Sequence, residues 1–371
     1  MSAISVRTGN LIAMRLFDIA YAIDLVKAEQ LWTAHLGRSG SRSRLTTAPP
    51  KAVAFGVPPL LLAMEPLTIE IDGIESLVQV SARLYDFGVV AIALRAPVSD
   101  MPWAEFAKRF NALDRDTGEG SSTSLWDELL STVRSIIAPS LDRLNDSIVQ
   151  EDYLLGIVHA VEPALDAERL RESVDLVALL SGEPRPLSSG AQRDLLQRSF
   201  SYYCDDLVVL TWDRAFIYEP RGDSDVADVI EVANAQLVEF RYYDELLDRE
   251  LPRMYERISR AQRALSLLAA HRFAQLARML YTLVAEVTEL REKVDNALQV
   301  TEDVYLARVY SAALDLFRVP NVSAAVDRKL AIMRDTYAAL YDEASSRRAE
   351  ILEIAIVLLI VIEIALALLK H

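Results

Sequence analysis

Every one of the twelve glycines in this 371-residue chain lies at or before Gly222. Glycine supplies the positive φ angles of tight turns and weakens helix interiors, so the two sides of that point must fold differently. After it only Pro252 and Pro320 can interrupt a helix. The division predicts an α+β domain over residues 1–222, a long-helix, coiled-coil-like domain over 223–348, and a closing apolar segment over 349–371.

In the first part, 13–21 reads as a strand leading into a helix over 23–32, and 37–50 as a polar loop. Thr68 to Ile71, the Asp72-Gly73 pair and the alternation of Val78, Val80, Ala82 and Leu84 with Gln79, Ser81, Arg83 and Tyr85 are a hairpin signature. Gly88 opens a continuous apolar strand, 89–94, which suits a sheet centre. Helices are expected over 103–113 and 124–144. The same grammar recurs as a strand over 154–161, a helix over 166–180 and a hairpin over 206–218. Either a duplicated β-α-β-β unit, giving an antiparallel sheet with helices on one face, or chance similarity accounts for this.

The second part carries a heptad stripe through Val226, Ile230, Ala233, Leu237, Phe240, Asp244, Leu247, Leu251, Met254, Ile258, Ala261, Leu265 and Leu268. Another runs through Leu276, Leu280, Leu283, Val287, Leu290, Val294 and Ala297. Sustained heptads predict long helices packed as a hairpin or coiled coil, with Leu237, Phe240, Asp244, Leu247, Leu280 and Leu290 as packing or oligomer positions. Pro252 predicts a kink or break with the stripe kept in phase. Asp244 either finds a partner or sits at an exposed edge of the seam.

Ile351 to Leu369 is the most apolar run, with fourteen of nineteen residues Ile, Leu or Val. As a helix it would reach roughly 28 Å, close to a hydrocarbon core of about 30 Å. The expectation is a transmembrane anchor marked by Ile351, Leu352, Glu353, Ile360, Glu363 and Leu369, with the lipid bilayer as partner. The body would face the cytosol from the inner, cytoplasmic membrane. The other reading is a core helix buried between the subunits of a soluble oligomer.

A formal net charge of −15 argues against nucleic-acid binding, which needs clustered cations. The single cysteine, Cys204, excludes an internal disulfide. Four scattered histidines, His35, His159, His271 and His371, show no metal-ligand spacing, and neither a glycine-rich phosphate loop nor a nucleophile beside a base is present. No catalytic, cofactor-binding or metal residue is therefore assigned, and no enzyme activity is expected.

Three stretches resemble a known family: Tyr85-Asp86-Phe87-Gly88-Val89-Val90; the helix from Asp225 to Tyr255 with Ala233-Asn234-Ala235-Gln236-Leu237 and Arg241-Tyr242-Tyr243-Asp244; and the terminus from Leu352-Glu353-Ile354 to Ile362-Glu363-Ile364. Together these resemble the required-for-meiotic-nuclear-division family, also called YagE-type, on a bacterial branch. The resemblance implies a membrane-associated homo-oligomer without catalytic activity. The expected function is a tail-anchored, homo-oligomeric scaffold or tether with an unknown protein partner. The alternative is a soluble regulatory or ligand-binding oligomer.

Overall fold

A computed structural model describes residues 4–36, 41–42, 53–118, 123–183, 185–222, 225–262, 266–296, 298–300 and 304–369. The loop expected over 37–50 lies outside these residues except for a short strand at 41–42. Two compact units interleave along the chain, Met1–Tyr242 with Lys293–Pro320, and Tyr243–Glu292 with Asn321–His371.

The chain opens with β1 (Ser5–Ile23), α1 (Leu25–Leu36) and the short strands β2 (Ser41–Arg42), β3 (Val53–Phe55) and β4 (Leu60–Ala63). The hairpin β5 (Leu67–Ile71) and β6 (Ile74–Leu84) precedes β7 (Val89–Pro102). Helices α2 (Trp103–Thr117) and α3 (Thr123–Ile137) lead to β8 (Leu141–Glu162). Then come α4 (Ala167–Ser173), α5 (Leu176–Ser181), α6 (Ser189–Leu195), β9 (Ser199–Phe200), β10 (Leu207–Leu210) and β11 (Arg214–Tyr218). The rest is α7 (Val226–Gln262), α8 (Ser266–Asp295), β12 (Leu298–Val300), α9 (Val304–Leu316) and α10 (Val319–Leu369).

The first unit is built on one sheet in the order β2-β4-β6-β7-β1-β8-β11-β10-β9, with β5 on β6, while β12 pairs with β3 separately. Its centre is the antiparallel pair of β1 and β8, 19 and 22 residues long. Ten consecutive residues of β1, 11–20, are buried, which requires cover on both faces of the sheet. On one face Leu11, Ala13, Phe17 and Ile19 join Trp32 of α1, Phe106 and Phe110 of α2, Trp126 of α3 and Leu179 of α5 in one core. Alternate residues point the other way: Ile12, Met14 and Leu16 of β1 and Tyr153 and Leu155 of β8 are buried as well. That face receives the first half of α7, where Val229, Ile230, Ala233, Val238 and Phe240 are buried, and Phe317 after α9, whose ring meets Tyr153 edge-on at 5.3 Å. Helices on both faces of a mixed sheet make this unit three-layered.

A bulge interrupts the β1–β8 register between Asp18 and Ala20. There the Ile19 amide donates to the Gly88 carbonyl at 3.2 Å, outside the β1–β8 ladder. Gly88 has φ +96°, and a Cβ on it would stand 1.7 Å from the Ala20 carbonyl oxygen, so no other residue fits without moving the strand.

The pairing overturns the duplicated unit. In the first half β7, the last strand, lies antiparallel to β1; in the second half β11, its would-be equivalent, lies parallel to β8. The strands mirror one another in order but not in direction, so the sheet is mixed rather than antiparallel. The helix expected over 124–144 ends at Ile137, because Pro139 falls in a tight 3-10 turn and β8 begins at Leu141.

The second unit is helical. Tyr243, Leu247, Met254, Phe273, Leu280, Val287, Val326, Leu330 and Met333 are buried. The α7 helix runs on through Pro252, and Leu247 before it and Met254 after it are both buried, so the stripe keeps its phase. Lys329 of α10 donates to the Asp244 carboxylate at 2.7 Å and lies 2.6 Å from that of Asp248, while Arg291 of α8 pairs with Asp327.

The expected transmembrane anchor is corrected by the structure. The C-terminal run is helical, as the end of α10, but among the described residues no helix is long and apolar enough to cross a membrane. Over 349–366 three glutamates, Glu350, Glu353 and Glu363, interrupt it. The nine uncharged residues between the last two span about 14 Å, less than half of a hydrocarbon core. Each acid near a bilayer centre costs about 2.5–3.5 kcal/mol, more than several aliphatic side chains return. Ile351, Leu352, Glu353, Ile360, Glu363 and Leu369 are thus positions on a helix and not an anchor; the side chain of Leu369 lies outside the described residues. The tail-anchored scaffold, the bilayer partner and the inner-membrane location lose their basis together.

Candidate functional site

Among the described residues of the first unit, four of the polar constellations differ in whether their groups are already used. Arg83 at the end of β6 places Nη1 2.8 Å from Asp228 Oδ1 and 3.3 Å from Glu231 Oε2, both on α7. The Tyr85 hydroxyl donates to Glu231 Oε1 at 3.0 Å. Burial alone would depress Arg83, but Glu231 and Asp228 beside it hold it well above its ordinary value. Burial raises Glu231, with Arg83 opposing and Asp228 adding to the shift. Burial, and then the Glu231 charge, push the Tyr85 phenol well up. Opposite charges face one another here and fasten the sheet to α7, while the buried Arg83 Nε has no hydrogen-bond partner.

Arg214 of β11 forms a second closed cluster. Its Nη2 lies 2.7 Å from Asp114 Oδ2 and 3.0 Å from Asp213 Oδ2, and its Nη1 donates to Asn111 Oδ1 at 2.9 Å. Gly182, at φ +63°, ends α5 against it, and a Cβ there would stand 2.8 Å from Nη2. The cluster therefore ties β11, α2 and the end of α5 together.

The β1 bulge holds the third. Asn145 donates to Asp18 Oδ1 at 2.6 Å, and Oδ2 is buried without a hydrogen-bond partner. Burial raises the Asp18 carboxyl well above its ordinary value, although the Asn145 side chain and the Ala20 amide pull the other way. Asp18 is consequently held neutral over a wider pH range than an exposed acid.

The fourth constellation is open. Arg198 and Phe200 on the sheet edge and Val304, Ala307, Arg308, Ser311, Ala312 and Asp315 of α9 line a cleft of about 420 Å³. The helix residues fall at i, i+3, i+4, i+7, i+8 and i+11, one face of α9. The Arg308 guanidinium lies over the Phe200 ring at 5.9 Å. Neither Arg198 nor Arg308 has an ion pair among the described residues. Beyond the cleft Tyr202 meets Tyr203 edge-on at 4.7 Å and lies 5.7 Å from Tyr305 of α9, and Arg221 lies 4.4 Å over Tyr203. The turn carrying these tyrosines is shaped by Asp206, whose Oδ1 accepts from the Tyr202 and Tyr203 amides at 2.7 and 3.1 Å.

The residues singled out from sequence lie elsewhere. Phe240, Leu247 and Leu280 are buried within the single chain, Leu237 and Asp244 are half-buried, and the Leu290 side chain is outside the described residues. Asp244 has the partner its seam position requires, Lys329. Cys204 is exposed in the Asp206 turn. Sequence reasoning missed the cleft because Phe200 and Arg308 are 108 positions apart and neither belongs to a motif. The run Arg198-Ser199-Phe200-Ser201-Tyr202-Tyr203, one cation followed by three aromatics set among serines in an acidic chain, was the available signal.

Residues 8–225 match the family described as "Uncharacterized protein MJ0711, N-terminal domain". The curated protein of that name from Methanocaldococcus jannaschii is 25% identical over 196 residues, 53% of this chain and 59% of the relative. The chain therefore matches less than two thirds of that relative's length. No solved structure matches it. These matches overturn the resemblance to the required-for-meiotic-nuclear-division or YagE-type family, and an archaeal relative gives no support to a bacterial branch. The Tyr85–Val90 stretch misled for a physical reason: the bulge against Ala20 demands glycine at 88, and the central strand after it demands apolar residues.

Proposed function

We propose, for a chain that belongs to the family of the MJ0711 N-terminal domain, a non-catalytic regulatory or ligand-binding homo-oligomer in which the end of α10 is buried between subunits. The observation that carries this reading is the exposure of that helix end. Leu352, Ile354, Ile356, Val357, Leu358, Leu359, Ile360, Val361, Ile362, Ile364 and Leu366 are 45–65% exposed in the single chain. A monomer rarely leaves more than a few hundred Å² of contiguous apolar surface in water. Eleven half-exposed aliphatic side chains amount to on the order of 1,000 Å², comparable to the roughly 800 Å² per partner of a standard stable interface. A second copy of the same helix, equally apolar, supplies a matching surface by symmetry.

Light scattering tests the assembly. The full chain should have the mass of a multimer, and a chain truncated after Arg348 should have the mass of a monomer with its sheet intact by circular dichroism. A monomeric full chain, or a truncated chain that keeps the full multimer, would dispose of the reading.

A further inference from the structure

The geometry points to a mononucleotide site in the open cleft between the sheet edge at Phe200 and α9. This inference rests on the ligand-binding part of the proposed function and gives it a place and a chemistry. The cleft volume of about 420 Å³ falls in the range of small-ligand sites, roughly 300–1,000 Å³. Its two arginines, Arg198 and Arg308, line the same cleft and are free of ion pairs among the described residues. A guanidinium offers its N–H fork to a phosphate in bidentate fashion, which suits Arg198 to a phosphoryl group while Arg308 faces Phe200.

The aromatic part adds the planar half of the ligand. A ring stacked between Phe200 and the Arg308 guanidinium needs about 7 Å between them, twice the ~3.5 Å contact distance of stacked atoms. The two stand 5.9 Å apart, so a movement of about 1 Å by the exposed Arg308 side chain opens the slot. Along the same face of α9, Ser311 and Asp315 follow Arg308 by three and seven residues, the latter about 10 Å further along the axis. The Asp315 carboxylate accepts hydrogen bonds from sugar hydroxyls or an exocyclic amino group, functions that inorganic phosphate lacks. The Asp315 charge also repels a bare anion. A phosphate joined to a sugar and a base uses every polar group of the cleft; a simple anion uses two of them and meets a third unfavourably.

Isothermal titration of the full chain with AMP, GMP and inorganic phosphate tests the site, with the mass of the same sample followed by light scattering. At least one nucleotide should bind, and at least about tenfold more tightly than phosphate. Arg198→Ala, Arg308→Ala and Phe200→Leu should each weaken it about tenfold, the loss of one charge-assisted or stacking contact. Arg198 and Arg308 are exposed and Phe200 is half-buried, and an unchanged thermal midpoint will show that the variants fold. No heat with either nucleotide at millimolar concentration, equal affinity for phosphate, or unchanged affinity in the Arg198→Ala/Arg308→Ala double variant would overturn the site. Failure of binding in a multimeric sample removes the site and leaves the assembly; a monomeric sample that binds removes the assembly and leaves the site.

Discussion

Asp18 and Gly88 show how much one bulge demands of two residues. Asp18 is buried and its Oδ2 has no hydrogen-bond partner, so ionising it costs more in the fold than in the unfolded chain. Between the ordinary carboxylate pKa and the raised native one, the native state holds a proton that the unfolded state has released, and stability falls as pH rises. The contribution is fully present below the ordinary value and is lost as pH climbs through the native pKa. Asp18→Asn keeps the acceptor for Asn145 and removes the ionisation. The variant's thermal midpoint should therefore gain on the parent's as pH is raised from about 4, the usual carboxylate value. A difference that stays flat from acid to neutral pH would show that Asp18 ionises like an exposed acid. Gly88→Ala meets the Ala20 carbonyl and a φ of +96° together, and urea unfolding should report a loss of roughly 3 kcal/mol or more. The sequence made Gly88 visible as a strand opener; Asp18, inside an apolar strand with its partner Asn145 127 residues away, was invisible.

At the scale of elements, local chemistry was legible and long-range pairing was not. The β5–β6 hairpin follows the Asp72-Gly73 pair, both at positive φ, with Ile71 opposite Ile74 as a two-residue turn requires. The first half of β8 was missed because its exposed residues, Leu144 and Ile148 among them, are neither continuous nor cleanly alternating. The seam charge on α7 was readable, and its answer, Lys329, lay 85 residues downstream. Lys329→Met should destabilise by about 1 kcal/mol, because it leaves half-buried Asp244 beside an apolar seam. Adding Asp244→Leu should recover at least half of that loss, since both partners of the pair then become apolar. Chemical denaturation of the two single variants and the double variant gives the coupling; strictly additive losses would mean that the pair contributes no mutual energy.

For the whole molecule, the apolar C-terminus was the plainest feature of the sequence and the most misread. Its length suggests a bilayer only if the glutamates are discounted, and Glu353 and Glu363 divide it into pieces too short to span one. Successive helical residues turn by about 100°, so the unbroken aliphatic stretch over 356–362 presents side chains all round the helix. One flat partner covers only one side of such a helix; several copies of α10 packed about each other cover it all. In the proposed assembly, association is part of folding stability, because copies that bind the folded chain and not the unfolded one draw the equilibrium toward the fold by mass action. The thermal midpoint of the full chain should rise with protein concentration, by about 1–3 °C per tenfold for a chain of this size. The chain ending at Arg348 should melt at a midpoint independent of concentration. Calorimetry across a hundredfold range of concentration separates the two, and a full-length midpoint that does not move would show that the apolar end of α10 contributes nothing to assembly.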